Sequence, residues 1–236
     1  MPNIFVDTDC QFQKNEEDKP CPYCYGRGFY WKQGYKYACR CLIPKKSTKQ
    51  LSKINLPVYK KVKLLSECFV FVNKFKQNLK STNNWLLLTG LSGTGKTTQA
   101  CMIITELARR GFSGRYVEYQ KILRELSTYR YANMKYNSRL EEIMSCDVLF
   151  IDDFLAFIPS ADSFEEQIAV ELIKTRYESG RAMIITMKYS VQEIDKKLPV
   201  HGSTIANRLL TRCGEWIIPC KTKYVNAQKL EENNVL

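Results

Sequence analysis

Three features are scarce in this sequence. It has a single histidine, His201, and only one acidic residue, Glu67, between Lys19 and Thr105. No apolar run approaches the roughly 18 residues that a membrane-spanning helix needs, and the first residues lack the basic and apolar segments of a secretory signal. We therefore expect a cytoplasmic protein with no membrane contact, and we expect the lone histidine to be incidental rather than a ligand.

The scarcity of acidic residues makes the chain strongly basic. Its net charge is +12 over 236 residues, and sixteen lysines and arginines lie between positions 19 and 105. Such a segment favours binding to a polyanion or to an acidic protein surface. A solvated basic surface without a partner is the alternative, because runs of charge are usually solvated.

A phosphate-binding loop is the most specific motif that the sequence contains. The run from Gly90 to Thr97 reads Gly-Leu-Ser-Gly-Thr-Gly-Lys-Thr and fits the pattern GxxxxGK[ST] between a strand-like and a helix-like segment. Backbone N–H groups and the helix N-terminus are expected to hold the phosphates of ATP, with Lys96 at the β- and γ-phosphates and Thr97 as a ligand of Mg²⁺. The predicted nucleotide-binding residues are Gly90, Ser92, Gly93, Thr94, Gly95, Lys96, Thr97 and Thr98.

A second nucleotide motif follows about fifty residues later. The apolar run 148–151 ends in Asp152-Asp153, the pattern of a buried strand that delivers carboxylates to the edge of a sheet. Asp152 is predicted to hold Mg²⁺, and Asp153 to orient and deprotonate the attacking water. Lys96 and the two aspartates are therefore the predicted catalytic residues within one subunit.

From residue 85 onward, strand-like and helix-like segments alternate, which is typical of a parallel α/β sheet. Predicted strands lie near 85–89, 115–118, 147–152, 182–187 and 215–218. Predicted helices lie near 58–79, 96–110, 119–130, 138–145, 162–179, 190–197 and 203–212. We expect a P-loop ATPase domain with a five-stranded parallel sheet at 56–220, preceded by a flexible leader (1–18) and a small module with a basic connector (19–55), and followed by a tail (221–236).

The small module contains four cysteines in two close pairs. Cys21 and Cys24 form a Cys-Pro-Tyr-Cys run, and Cys39 and Cys41 form a Cys-Arg-Cys run. Four thiolates suit tetrahedral Zn²⁺, and a module of this size has too little apolar surface to fold without a metal. Buried thiols or a redox pair are the alternatives. The aromatics of this module suit a core, a protein partner or nucleic acid equally well.

Two arginines, Arg208 and Arg212, lie one turn apart on the last predicted helix. Arg208 is a candidate arginine finger, a residue that enters a neighbouring subunit's ATP site and neutralises charge in the transition state. An exposed arginine on a helix face is the alternative.

Together, the phosphate loop, Asp152-Asp153, the segment 176–186, the helix with Asn207-Arg208-Leu209 and the cysteine module resemble the AAA+ ATPases of the DnaC/DnaI helicase-loader group, over about residues 20–218. The resemblance implies ATP binding and hydrolysis, and assembly into a ring or helical oligomer with Arg208 as the finger. It further implies that the zinc module binds the replicative DNA helicase, which the protein places on single-stranded DNA.

The resemblance also implies single-stranded-DNA contacts between Tyr119 and Arg139. Solvated cations on a helix packed by its apolar face are the alternative. The candidate DNA-binding residues are Arg124, Tyr129, Arg130, Tyr131 and Lys135.

Two departures from the group shape the expectations. Lys188 stands where such ATPases carry a polar residue that positions the attacking water, and lysine cannot accept a hydrogen bond from that water. We expect slow hydrolysis, and the alternative is that Lys188 contacts phosphate or an acidic partner. The chain stops soon after Pro219, so no helical lid is expected. Two rival functions remain: a transposition ATPase of the IstB or TnsC kind that binds duplex DNA, and an ATP-bound adaptor that does not hydrolyse.

Overall fold

The computed structural model describes residues 4–6, 29–32, 35–38, 54, 56–57, 64–79, 81–161, 163–198 and 200–221. Over these ranges, no helix is both long enough and apolar enough to cross a membrane.

A small sheet lies in the N-terminal part of the chain. Its strands are β1 (Ile4–Val6), β2 (Phe29–Lys32) and β3 (Tyr35–Ala38), in the order β1-β3-β2. Strands β2 and β3 pair antiparallel with Phe29 opposite Ala38, whereas β1 runs parallel to β3. The predicted zinc ligands Cys21, Cys24, Cys39 and Cys41 lie outside the described residues.

A second sheet forms the centre of the main domain. Its strands are β4 (Leu86–Thr89), β5 (Gly114–Glu118), β6 (Val148–Asp152), β7 (Ala182–Met187) and β8 (Ile217–Pro219). They lie in the order β5-β6-β7-β4-β8, and every pair is parallel. The predicted five-stranded parallel sheet is thus confirmed. Only β8 departs by two residues at its start, because Gly214–Trp216 forms a 3₁₀ turn before it.

Seven helices connect and cover these strands in the described part of the chain. They are α1 (Ser66–Asn78), α2 (Lys96–Arg109), α3 (Tyr119–Thr128), α4 (Asn133–Met144), α5 (Phe164–Ser179), α6 (Val191–Lys197) and α7 (Gly202–Cys213). Helix α4 starts five residues before its predicted position. Its first turn includes Tyr136, which packs on Phe164 and donates a hydrogen bond to Glu171 of α5, and local sequence does not show such a contact.

Helices cover both faces of the sheet because successive strand residues point to opposite sides. In β4, Leu87 faces a core shared with α3 to α7, whereas Leu86 and Leu88 face a core shared with α1 and α2. All three leucines are fully buried. Strands buried on both faces read as continuous apolar runs, and this explains the runs seen in the sequence.

Candidate nucleotide-binding site

The phosphate loop connects β4 to α2 and contains three glycines with positive φ. Gly90, Gly93 and Gly95 have φ values of 139°, 79° and 85°, a range that side chains disfavour. A Cβ at Gly90 would lie 2.5 Å from the carbonyl oxygen of Cys220, whereas a Cβ at Gly93 would have no neighbour within 4 Å. The start of the loop, at Gly90, therefore lies close against the segment after β8. At Gly93 the loop has free space on the Cβ side.

Lys96 lies in the first turn of α2 and is only 6% exposed. Its Nζ donates hydrogen bonds to the carbonyl oxygens of Gly90 at 2.7 Å and Leu91 at 2.8 Å. Burial lowers the pKa of Lys96, and the nearby Asp153, Cys220 and Asp152 oppose that effect. The ammonium group is thus satisfied by carbonyls of the loop itself, and phosphate oxygens are the stronger acceptors that would replace them.

Asp152, at the end of β6, is buried and faces the phosphate loop. Its Oδ1 accepts a hydrogen bond of 2.9 Å from the hydroxyl of Thr97, so the structure brings both predicted magnesium ligands together. Tyr116 contacts the other carboxylate oxygen at 3.4 Å, and burial raises the pKa of this tyrosine. A carboxylate and a hydroxyl are hard oxygen ligands, so this set fits Mg²⁺.

Asp153 follows directly and has an exposed side chain. Desolvation and the charge of Asp152 raise its pKa, while Lys96 opposes the shift. Its backbone is left-handed, with φ of 52°. The two aspartates therefore differ: Asp152 is fixed inside the site, and Asp153 faces the solvent from which a water molecule would come.

Thr186 was not predicted as a site residue. It lies near the end of β7, is fully buried, and its hydroxyl contacts Asp152 Oδ1 at 2.5 Å. Lys188 stands where the resemblance implies a polar residue after this strand, and it is exposed, with Nζ 5.6 Å from the centroid of the Tyr189 ring. The strand order explains the omission, because β7 lies between β4 and β6 in the sheet and local sequence does not show strand order.

The candidate finger Arg208 lies away from the phosphate loop of its own chain. Its guanidinium carbon is 5.8 Å from the ring centroid of Tyr177, in the last turn of α5 before β7 begins. The phosphate loop follows the opposite, carboxyl end of the sheet, and six strand residues span about 17 Å. Within the described residues, the buried Nη1 atom of Arg208 has no hydrogen-bond partner.

The candidate DNA-binding residues lie on α3, α4 and the turn between them. Tyr131 is 92% exposed, and the guanidinium carbon of Arg130 lies 5.6 Å from its ring centroid and 5.0 Å from that of Phe164. Arg124 and Lys135 are exposed, and Tyr129 is half-buried. The opposite face of α3 is apolar and buried, so the cations and aromatic rings lie on the free face of a well-packed unit.

Five of the ten cysteines lie in the described part of the chain as buried free thiols: Cys68, Cys101, Cys146, Cys213 and Cys220. Burial raises the pKa of Cys101 to about 12, which keeps it protonated and unreactive. In the same part of the chain, no three His, Cys, Asp or Glu side chains are grouped to hold a metal.

Solved structures share this fold. DnaI matches with a TM-score of 0.54 and 19% identity, over 74% of this chain and 90% of that one. The replication initiator DnaA bound to AMPPCP and single-stranded DNA matches with a TM-score of 0.55 and 19% identity, over 75% and 54%. The DnaC helicase loader matches with a TM-score of 0.50 and 16% identity, over 73% and 97%. At these identities, the likeness concerns the fold.

Sequence comparison adds a family. An ATP-binding protein of insertion sequence IS1162 from Pseudomonas fluorescens is 33% identical over 69 residues, so the match spans 29% of each of the two proteins. The family of IstB-like ATP binding proteins matches residues 71–225, from within α1 to beyond β8. That match covers most of the main domain, including the phosphate loop, Asp152 and Asp153. The chain therefore belongs to the IstB-like ATP binding protein family.

Proposed function

We propose that this protein hydrolyses ATP and, as an AAA+ oligomer, loads a replicative DNA helicase onto single-stranded DNA. The observation that carries the ATPase proposal is the contact between Thr97 and Asp152, which joins the phosphate loop to the acidic strand beside Lys96. The loader proposal is supported by the fold shared with DnaI and the DnaC helicase loader over more than 70% of the chain.

Each site residue has a distinct task in this proposal. The backbone N–H groups of the loop and the start of α2 bind the phosphates, and Lys96 exchanges its loop carbonyls for phosphate oxygens. Thr97 and Asp152 would hold Mg²⁺, which when bound neutralises phosphate charge. Asp153, exposed beside the loop, orients the attacking water and accepts its proton.

Arg208 completes the site of a neighbouring subunit. Its guanidinium packs on Tyr177 near the amino edge of the sheet, whereas the phosphate loop of the same chain follows the carboxyl edge, so Arg208 does not serve its own ATP site. A head-to-tail contact between subunits repeats the same pairing and generates a ring or a helical filament. Self-association is therefore part of the catalytic proposal.

Single-stranded DNA is the polyanion that we assign to the free face of α3 and α4. Tyr129 and Tyr131 offer stacking surfaces for bases, and Arg124, Arg130 and Lys135 offer cations for phosphates. Tyr131 is almost fully exposed, which is unusual for a tyrosine. Replacing Tyr131 with alanine is expected to weaken binding to single-stranded DNA about ten-fold or more, since stacking contributes about 1–3 kcal/mol per base.

For the N-terminal module, we propose a zinc site formed by Cys21, Cys24, Cys39 and Cys41 that presents the helicase-binding surface. The β2–β3 hairpin supports this proposal, because it spans the sequence between the two cysteine pairs and pairs Phe29 with Ala38. Metal analysis of the purified protein tests it. We expect one zinc per chain, and we expect Cys21→Ser with Cys24→Ser to remove it.

A transposition ATPase is the second candidate, and the insertion-sequence relative favours it. Such a protein would bind duplex DNA and a transposase in place of single-stranded DNA and a helicase. Capture experiments with a replicative helicase and with a transposase as separate baits distinguish the two functions.

Hydrolysis itself is tested with purified protein, ATP and Mg²⁺. Asp153→Asn is expected to bind ATP normally and to lower kcat at least 100-fold, in the range of a lost general base. The matched control is Asp195→Asn, an exposed aspartate on α6, which should leave turnover unchanged. ATP binding without any turnover by the natural protein would instead support the adaptor function and give Lys188 a central role.

A further inference from the structure

The turn after β6 is strained. Asp153 and Leu155 have φ values of 52° and 53°, and they are the only non-glycine residues with positive φ in the described part of the chain. Aspartate tolerates this conformation, but for leucine it is a genuine outlier. Leu155 and the intervening Phe154 are nevertheless fully buried. Strained backbone of this kind persists only where the surrounding structure holds it in several ways.

One residue of β7 provides three of the bonds that hold this turn. The hydroxyl of Thr186 donates to Asp152 Oδ1 at 2.5 Å and accepts the backbone N–H of Asp153 at 2.9 Å. The carbonyl oxygen of Thr186 accepts the backbone N–H of Phe154 at 2.8 Å. A single buried side chain and its own carbonyl thus bind three consecutive residues of the acidic segment.

The position of β7 explains why this residue has such a role. β7 lies between β4, which leads into the phosphate loop, and β6, which ends at Asp152. The end of β7 also supports the loop, since the carbonyl oxygen of Met187 accepts the N–H of Gly90 at 3.2 Å. Asp152 Oδ1 therefore accepts hydroxyl groups from both sides, from Thr97 of α2 and from Thr186 of β7.

We propose that Thr186 is a positioning residue for ATP hydrolysis: it clamps the strained turn, so that Asp152 stays directed at Thr97 and Asp153 keeps its left-handed backbone beside Lys96. This inference rests on the proposed ATPase function and deepens it. Thr186 acts through Asp152 and Asp153, not on the nucleotide. Its loss is therefore expected to lower kcat while leaving KM for ATP nearly unchanged.

Three variants separate the hydroxyl of Thr186 from the volume of its side chain. Thr186→Val keeps the size and removes the hydroxyl, and Thr186→Ser keeps the hydroxyl. Thr186→Ala differs from Thr186→Ser only by the hydroxyl. This pair replaces the valine variant if that variant does not fold. The matched control is Thr105→Val, which removes a hydroxyl that donates to the backbone carbonyl oxygen of Cys101 in α2, about two turns beyond Thr97.

We expect Thr186→Val to lower kcat by about 10- to 100-fold, since misplacement of a catalytic group by about 1 Å costs that much. At saturating Mg²⁺, ATP affinity should stay within about three-fold of the natural protein, because Thr186 does not contact the nucleotide. Thr186→Ser should retain kcat within the same factor, because it keeps the hydroxyl. Thr105→Val should behave like the natural protein. An unchanged kcat in Thr186→Val, or an equal loss in the serine and alanine variants, would overturn the proposal.

Failure of the Thr186 proposal can be distinguished from failure of the ATPase proposal. If the natural protein binds ATP without turnover, hydrolysis fails as its function, but the clamp still predicts a measurable effect. Thr186→Val should then need several-fold more Mg²⁺ than the natural protein to reach half-maximal ATP binding, because Asp152 is less well oriented. It should also exchange the amide hydrogen of Asp153 faster. If the Mg²⁺ requirement and the exchange rate are both unchanged, the clamp itself is refuted.

Discussion

At the scale of single residues, the glycines of the phosphate loop are required for different physical reasons. Gly90 combines a φ of 139° with a carbonyl oxygen of Cys220 that would lie 2.5 Å from an added Cβ. Gly93 has a positive φ but open space on its Cβ side. Backbone conformation alone therefore explains Gly93, whereas Gly90 is also fixed by the close approach of another backbone segment.

Replacing these glycines with alanine is expected to separate the two effects. Gly90→Ala should destabilise the fold by about 3 kcal/mol, since backbone strain and overpacking each cost about 1–3 kcal/mol. Gly93→Ala should cost only about 1 kcal/mol, the strain of a left-handed residue. Urea unfolding measures both. Gly111→Ala, with φ of 98° and open space, is the control and should match Gly93→Ala in stability. A Gly90→Ala variant no less stable than this control would show that the Cys220 carbonyl does not constrain Gly90.

At the scale of elements, one buried arginine of α5 connects this helix to the end of α4 and to the amino ends of β6 and β7. Arg176 is fully buried and donates hydrogen bonds to the carbonyl oxygens of Met144, Cys146, Asp147 and Ala182. Burial lowers its pKa to about 10. These carbonyls lie at the last residue of α4, just before β6 and at the first residue of β7, so one planar group satisfies backbone oxygens at the ends of three elements.

Arg176→Met is expected to lower the free energy of unfolding by about 3 kcal/mol or more, because each buried carbonyl left without a donor costs about 1–3 kcal/mol. Arg176→Lys should recover little of this loss, because an ammonium group lacks the planar fork that reaches carbonyls on several sides. Chemical denaturation measures both variants. Full recovery by lysine would show that charge, and not geometry, is what this position requires.

Some elements of the structure could be predicted from the sequence, and others could not. The strands and the phosphate loop were predictable because buried parallel strands read as apolar runs and the loop pattern is specific. The contact between Thr97 and Asp152 was expected from the two nucleotide motifs, because the phosphate loop and the end of β6 lie at the same edge of the sheet. Thr186 was missed because its role depends on β7 lying between β4 and β6, an order set by tertiary packing. The start of α4 was missed for a similar reason, since Tyr136 bonds a distant helix.

At the scale of the whole molecule, the ATP site is expected to be shared between subunits. Arg208 packs against Tyr177, whereas Lys96 lies at the carboxyl edge of the sheet. One chain thus supplies the phosphate loop, and we expect its neighbour to supply the finger. Assembly and turnover are then linked, because a subunit without a neighbour lacks the arginine that neutralises charge in the transition state.

Mixing two inactive variants tests this shared site. Lys96→Ala and Arg208→Ala should each lose turnover alone. An equal mixture should recover about a quarter of the natural activity, because random assembly of head-to-tail contacts pairs an intact loop with an intact arginine at one interface in four. The measurement is steady-state ATP hydrolysis at fixed total protein. No recovery in the mixture, or full activity of Arg208→Ala alone, would place the arginine outside the site.

The most direct test of the loader function is ATP turnover by the purified full chain, with single-stranded DNA, with duplex DNA and without DNA, beside Tyr131→Ala. We predict that single-stranded DNA stimulates turnover several-fold, that duplex DNA stimulates it less, and that Tyr131→Ala loses the stimulation while it keeps the basal rate. Stimulation by duplex DNA alone would contradict the loader function and favour the transposition ATPase.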